Sequence, residues 1–471
     1  MVGMRQSIRR FTRDESGFAM ITVLGVGIIL FILLSTTIAI TNYRTMQTTR
    51  YQSRTRAVQT ADAGLNEFLY QMSIVYTFAG PVTGTLSDGS TYVVTRTNNA
   101  DGTVTVTSVT TLTDGTHRTV KAVVSPPHFA DYAIGSTVNI TVGPETIIDG
   151  PVRTNGYIAW TSGGTKSWIM GKSQSPVAYY VTNGSNLTAS TDLNHFKGGI
   201  VPVGSVAQLN FDSISTDIDG MKANAGLLLP DSATIDSSAK GYEIVLNNNQ
   251  VTVSLVMSEN ASSTSSAQWG KLTTKSPTTY AIPSNGVIFV QNDNVWVKGT
   301  YTSRVTICAS RTSSSDLTNS GCITVENSVL CGNISDSKIT CGLLAQNSIW
   351  LPSWYSRTDA TPAGVMDPIL TIQSAMLAQN GSIADGFTGS GRSISTGSAT
   401  KPQPEHDLYI TGASVGKGGI GFTSPTNVGT SNQTYGFLNR NYGFDPRLTT
   451  NPPPSWPKTG DSVVIASWVA N

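Results

Sequence analysis

The chain has 471 residues, with 30 Lys and Arg against 29 Asp and Glu, and only 13% of its residues are charged. A balance this close to neutral excludes a protein that grips nucleic acid through a general basic field. Its 45 Gly and abundant Thr, Ser and Asn point instead to extended β-structure with a hydroxyl and amide surface.

Charge is unevenly placed along the chain. The first 60 residues hold eight Arg against Asp14 and Glu15, and the remainder carries 22 basic against 27 acidic residues. Arg5, Arg9, Arg10 and Arg13 precede a run from Phe18 to Ile40 that is 23 residues long and has no charge. At about 1.5 Å per residue this run spans roughly 35 Å, enough for a hydrocarbon core of about 30 Å. The leading arginines favour a cytoplasmic leader, but Arg44, Arg50, Arg54 and Arg56 follow closely, so charge orients the helix only weakly. No clear Ala-x-Ala cleavage site stands between Ile38 and Gln47, and the helix is expected to be kept.

Beyond the apolar run, Ala57, Ala61, Gly64, Leu65, Phe68, Leu69 and Met72 recur at three- and four-residue steps. One helix over residues 18–77 is the economical reading, ended by Gly80, Pro81 and Gly84. Small residues at Ala57, Ala61, Ala63 and Gly64, together with Leu65, form its expected packing face.

The basic leader, Gly17 followed by Phe18, the apolar helix and the segment Ala57-Val58-Gln59-Thr60-Ala61-Asp62-Ala63-Gly64-Leu65-Asn66 resemble the N-terminus of type IV pilins and of type II secretion pseudopilins. Within these the chain most resembles the PilX-like pilus assembly group. The resemblance implies that residues 1–17 are a leader. A prepilin peptidase would cut between Gly17 and Phe18 and methylate the new amine. It further implies a single-pass membrane protein with its C-terminal domain outside the cell. Other pilins and an inner-membrane assembly platform would be its partners.

Most major pilins carry a Glu five residues into the mature chain, where this sequence has Thr22. A hydroxyl cannot neutralise a neighbour's terminal ammonium in a low-dielectric site, which suits a minor or tip subunit with nothing above it. The alternative is a single-span anchored surface protein with a chance Gly-Phe.

Residues 82–127 read as an antiparallel meander, with strands at Tyr92-Val93-Val94-Thr95, Val104-Thr105-Val106 and Val120-Lys121-Ala122-Val123-Val124 separated by Asp-Gly turns. Residues 129–471 are written in short β-rich phrases punctuated by Gly. Leu344-Ala345-Gln346-Asn347-Ser348-Ile349 returns as Leu377-Ala378-Gln379-Asn380-Gly381-Ser382-Ile383. Repeated short strands suggest the stacked rungs of a parallel β-solenoid, or β-helix, with a β-sandwich as the alternative. An insertion over residues 161–278, with one helix near Phe211 to Ala225, is expected to interrupt the pattern.

The tempting chemical motifs are weak. Gly416-Lys417-Gly418-Gly419-Ile420-Gly421 matches a dinucleotide fingerprint, but Pro425 follows where a helix must begin, so a rung corner is expected. Adjacent residues Glu405-His406-Asp407 cannot converge on one substrate atom along an extended chain. The four His, at 117, 128, 195 and 406, show no metal-ligand spacing, and no cofactor is indicated.

Cys308, Cys322, Cys331 and Cys341 fit an oxidising exterior. Neighbouring pairs, Cys308 with Cys322 and Cys331 with Cys341, would close short loops contributing on the order of 3 kcal/mol each. Four small buried thiols fit equally well. The expectation is a non-enzymatic filament subunit, with adhesion to a glycan or other surface ligand compatible with it. Its rival is a surface-anchored solenoid that binds or cleaves polysaccharide, which would need carboxylates clustered on one rung face.

Overall fold

The computed structural model describes residues 4–74, 78–99, 103–125, 127–143, 146–162, 167–183, 185–203, 206, 208–259, 272–311, 320–352, 369–385, 406–422, 437–459 and 464–470. The chain is mainly β with one long N-terminal helix. It divides into two units, Met1–Val124 with Ser467–Asn471, and Ser125–Ala466.

In the first unit, helix α1 (Met4–Ile74) runs without a break. Its apolar positions at four-residue steps put Ala57, Ala61, Leu65, Phe68 and Met72 on one face, and all five are buried. They meet an antiparallel sheet built from Val82–Thr85, Thr91–Asn98, Val104–Thr111 and His117–Ser125, as the alternating pattern of those segments requires. Val94, Val106, Ala122 and Val124 supply its buried side. Gly64 and Gly84 are fixed by close approach, since a Cβ on either would overlap the Tyr92 ring.

A fifth strand, Val464–Ala470, joins this sheet beside His117–Ser125. Trp468 Nε1, near the chain's end, donates to Asp62 Oδ1 of the helix at 3.2 Å. The end of the chain therefore returns to the first unit, and the large unit is inserted between two strands of the small sheet.

In the second unit, parallel strands stack into two long walls. One wall passes, in stacking order, through Leu227–Leu229, Val287–Val290, Val305–Ala309, Cys341–Ala345, Ala375–Ala378, the later half of His406–Gly416, Ile134–Ser136, Val152–Thr154 and Ser173–Gln174. The other passes through Gly241–Asn248, Asn294–Tyr301, Ile323–Cys331, Ile369–Ile372, the earlier half of His406–Gly416, Phe437–Phe444, Thr146–Asp149 and Ser167–Ile169. Inward side chains such as Val297, Ile307, Leu343, Met376, Leu408 and Tyr442 form one continuous core. This is a parallel, solenoid-like stack, and the sandwich alternative does not hold.

Chain order and stacking order differ. The chain enters the stack in its middle at Ile134–Ser136 and winds to one end at Ser173–Gln174. It then passes through helix α2 (Ile214–Ala223) and begins again at the opposite end with Leu227–Leu229. Ile214, Ile218 and Met221 of α2 cover the outward side chains Phe289, Cys308, Leu344, Leu377 and Val415 of the first wall. Those strands are apolar on both faces because both faces are buried.

The return segment is pinned at three points. Asn155 exchanges hydrogen bonds with Leu209, Gln379 Nε2 donates to Ser215 Oγ at 2.7 Å, and Lys417 pairs with Asp212 at 2.7 Å.

The expected insertion over 161–278 is thus corrected. Residues 167–200 are further rungs, extended by a local third sheet of Ile140–Val142, Ile158–Thr161, Tyr179–Asn183 and Asn186–Ala189. Gly241–Asn248, Gln250–Glu259 and Leu272–Ala281 form an antiparallel meander that caps one end of the stack. The outermost strand of that cap is exposed and carries Lys275, Pro277 and two register shifts, all of which blunt an edge against further pairing. The helix expected near Phe211 to Ala225 is α2.

Candidate functional site

Side chains of α1 from Met20 to Ile40 are almost all exposed, whereas those from Ala57 onward alternate between buried and exposed. Among the described residues α1 is the one helix long and apolar enough to cross a membrane. Its hydroxyls are satisfied within the helix. Thr36 Oγ1 donates to the Ile32 carbonyl at 2.9 Å, Thr37 Oγ1 to Leu33 at 2.7 Å and Thr41 Oγ1 to Thr37 at 2.8 Å. That is what a hydrocarbon environment demands of them.

Gly17 and Phe18 fall inside α1, but their side chains lie outside the described residues. Thr22 is exposed on the apolar segment. Of the expected packing face, Ala57, Ala61, Gly64 and Leu65 are buried and Ala63 is exposed. Two residues past Ala61 is a rotation of about 200°, which turns Ala63 away from the sheet.

Rung stacking brings together charged residues that are far apart in the chain. Glu243, Lys298 and Glu326 lie on three adjacent strands of the second wall, on its outward side. The Lys298 ammonium stands 3.0 Å from Glu243 Oε1 and 3.2 Å from Glu326 Oε1, with all three side chains nearly buried at 13%, 11% and 9% exposure. Trp296 is also buried, and its Nε1 has no partner among the described residues.

Sequence reading missed this cluster. Its signal was a charge at an outward position of an otherwise apolar strand, as in Tyr242-Glu243-Ile244 and Val297-Lys298-Gly299. A glycosidase pair needs two carboxylates facing an accessible groove. Here both are held by one ammonium and covered, an arrangement that fixes rung register rather than one that moves protons.

A second buried cluster surrounds Arg447, in the short helix α3 (Arg447–Thr450). Its guanidinium holds Asp445 through Nε and Nη2, the latter at 2.7 Å, and its Nη1 donates to the carbonyls of Asp336 at 3.0 Å and Ile339 at 3.1 Å. The Asp445 carboxylate raises the affinity of Arg447 for its proton further.

A third lies where the chain enters and leaves this unit. His128 bridges Lys458, Phe129 N donates to the Pro457 carbonyl at 3.1 Å and Thr459 N to Pro127 at 3.0 Å. Asp131 Oδ2 accepts from the His128 amide at 2.7 Å. Burial pushes the Asp131 carboxyl up to about 7 and the His128 imidazole down to about 3, the latter helped by the charges of Lys458 and Arg304.

The remaining expected positions are scattered. None of the four cysteines is in a disulfide. Cys308 lies under α2, while Cys322 stands at the start of a strand in the other wall, so that expected pairing is not supported by placement. Cys331 and Cys341 share the main core. His406 and Asp407 sit in a strand, where Asp407 Oδ1 accepts from Asn439 Nδ2 at 2.8 Å, and Glu405 lies outside the described residues. Gly416 ends a strand and Ile420–Gly421 begins the next across Gly419 at φ +98°, which is a rung corner. Among the described residues no group of His, Cys, Asp and Glu could hold a metal ion.

No protein-family profile matches the chain, and no curated protein matches it. Among solved structures, the competence-associated pilin ComZ from Thermus thermophilus aligns over 89% of this chain and 97% of its own, at 11% identity and a TM-score of 0.37. A likeness of that size does not establish a shared fold.

Proposed function

We propose that the chain is a non-enzymatic subunit of a type IV pilus or of a secretion pseudopilus, anchored by α1 and carrying its solenoid-like unit outside the cell. The observation that carries this reading is the division of α1. One continuous helix is exposed and apolar over a membrane-length stretch, then packs its small-residue face on an antiparallel sheet. Such a helix serves a bilayer first and a helical bundle of like subunits later, which a plain membrane anchor does not require. Other pilins, an inner-membrane platform and a prepilin peptidase acting at Gly17 and Phe18 are the partners this reading names.

A minor or tip place is supported by Thr22 and by the size of the inserted unit, Ser125–Ala466, which each subunit would add to a filament. Cleavage of polysaccharide is not favoured, because Glu243 and Glu326 are both ion-paired to Lys298 and covered.

The test is fractionation. A tagged chain in its native cells should appear in mechanically sheared filaments together with other pilins, and should vanish from that fraction when the prepilin peptidase is deleted. A chain that stays wholly with the membrane in both strains contradicts the reading.

A further inference from the structure

We propose that Cys331 and Cys341 are a built disulfide site that closes when the second unit meets a disulfide oxidant, covalently fixing the corner that receives Arg447. Both side chains enter the same core, Cys341 as a buried member and Cys331 packed against it. Cys331 Sγ lies 3.9 Å from the carbonyl oxygen of Ile339, two residues before Cys341.

Both sulfurs also act on one hydroxyl. Tyr301, whose OH donates to the Gln373 carbonyl, is pushed above its ordinary range first by burial and then by Cys341 and Cys331. The backbone holds the two ends of the corner firmly. Cys331 N donates to Gln373 Oε1 at 2.7 Å, Gly332 N to the Tyr301 carbonyl at 2.8 Å and Val305 N to the Thr340 carbonyl at 2.9 Å. The loop between them offers the Asp336 and Ile339 carbonyls to Arg447.

The two sulfurs differ in access, and this sets the order of events. Cys331 is partly exposed and Cys341 is buried. The Cys331 thiolate attacks a sulfur of the oxidant's disulfide, forming a mixed disulfide and releasing one oxidant thiolate. The Cys341 sulfur then attacks Cys331 Sγ, forming the internal bond and releasing the second thiolate. Two protons leave the protein, and two electrons pass to the oxidant, which ends as two thiols. Cys308 lies apart from both, on the outer face of the first wall and enclosed there by α2.

Purified full-length protein in detergent is incubated with glutathione disulfide, denatured with an alkylating agent and no reductant, digested and mapped by mass. The expected result is one cross-linked peptide joining Cys331 to Cys341, two hydrogens lighter than its reduced parts, with Cys308 and Cys322 alkylated. Cys308→Ala should leave that link in place, and Cys331→Ser should abolish it. Alkylation of both Cys331 and Cys341, a persistent glutathione adduct on either, or a link from Cys308 to Cys322 overturns the proposal. Glutathione supplies the oxidant, so the result is independent of whether the chain enters a filament.

Discussion

Thr137 Oγ1 donates to the carbonyl of Lys417 at 2.6 Å, joining residues 280 positions apart. Beside this bond Ser414 stands opposite Ile134, and Tyr442 opposite Ile148. The stack therefore closes at a seam between the first rung of the unit in the chain and its last. Contacts of such separation are formed late and against a large loop-closure cost.

Ser414 N donates to the Ala133 carbonyl at 2.9 Å in the middle of this seam. Ser414→Pro removes that donor and places a ring in a central strand, so we expect a loss on the order of 3 kcal/mol. Thermal unfolding of the full-length protein in detergent should show the drop. An unchanged midpoint would mean that the seam is not part of the folded core.

Lys298 lies within ion-pair reach of both Glu243 and Glu326. Lys298→Met leaves two buried carboxylates facing each other, and we expect it to cost about 3–5 kcal/mol. Replacing all three residues with apolar ones of similar volume should restore much of that loss. A double-mutant cycle on chemical denaturation measures both effects.

Asp131 and His128 make stability depend on pH with opposite signs. The folded Asp131 titrates at about 7, above its unfolded value, so its contribution is present at low pH and is lost as pH rises from about 4 to 7. The folded His128 titrates at about 3, below its unfolded value, so its contribution grows as pH rises from about 3 to 6.5. Between about pH 4 and 6.5 the two cancel. Asp131→Asn should leave the histidine effect alone, and unfolding midpoints of the variant should climb with pH across that window relative to the native chain. Parallel profiles would show that one of the two groups is not buried as described.

On the proposed pilin reading, Thr22 falls at the position where major pilins carry a buried carboxylate. If absence of charge alone sets an end position, Thr22→Glu should let the subunit spread along shafts. We expect the bulk of the inserted unit to prevail, so that immunogold label stays sparse and at filament ends in both proteins. Even label along shafts of the native protein would refute end placement.

Local pattern carried the helix, the meander and the rungs. The repeated phrase beginning at Leu344 and Leu377 is two stacked rungs, with Leu344 opposite Leu377 and Ile349 opposite Ile383. Stacking order was not legible, because nothing in the phrase around Ile134 says that it lies against Ser414 rather than against a sequence neighbour. For the same reason residues 161–278 read as an interruption. They hold the last rungs of one arm, the return through α2 and the cap of the other arm. The cluster of Glu243, Lys298 and Glu326 stayed hidden because its members meet only through that stacking. The return of Trp468 to Asp62 is likewise a tertiary fact, carried by no local signal in the final strand.

The most direct test of the filament reading is the N-terminus of the chain isolated from its native membrane. Intact-mass and N-terminal analysis should find Phe18 as the first residue, carrying a methyl group on its amine, and replacing Gly17 with a bulky residue should leave the leader attached. A chain that begins at Met1, or beyond Ile40, contradicts it.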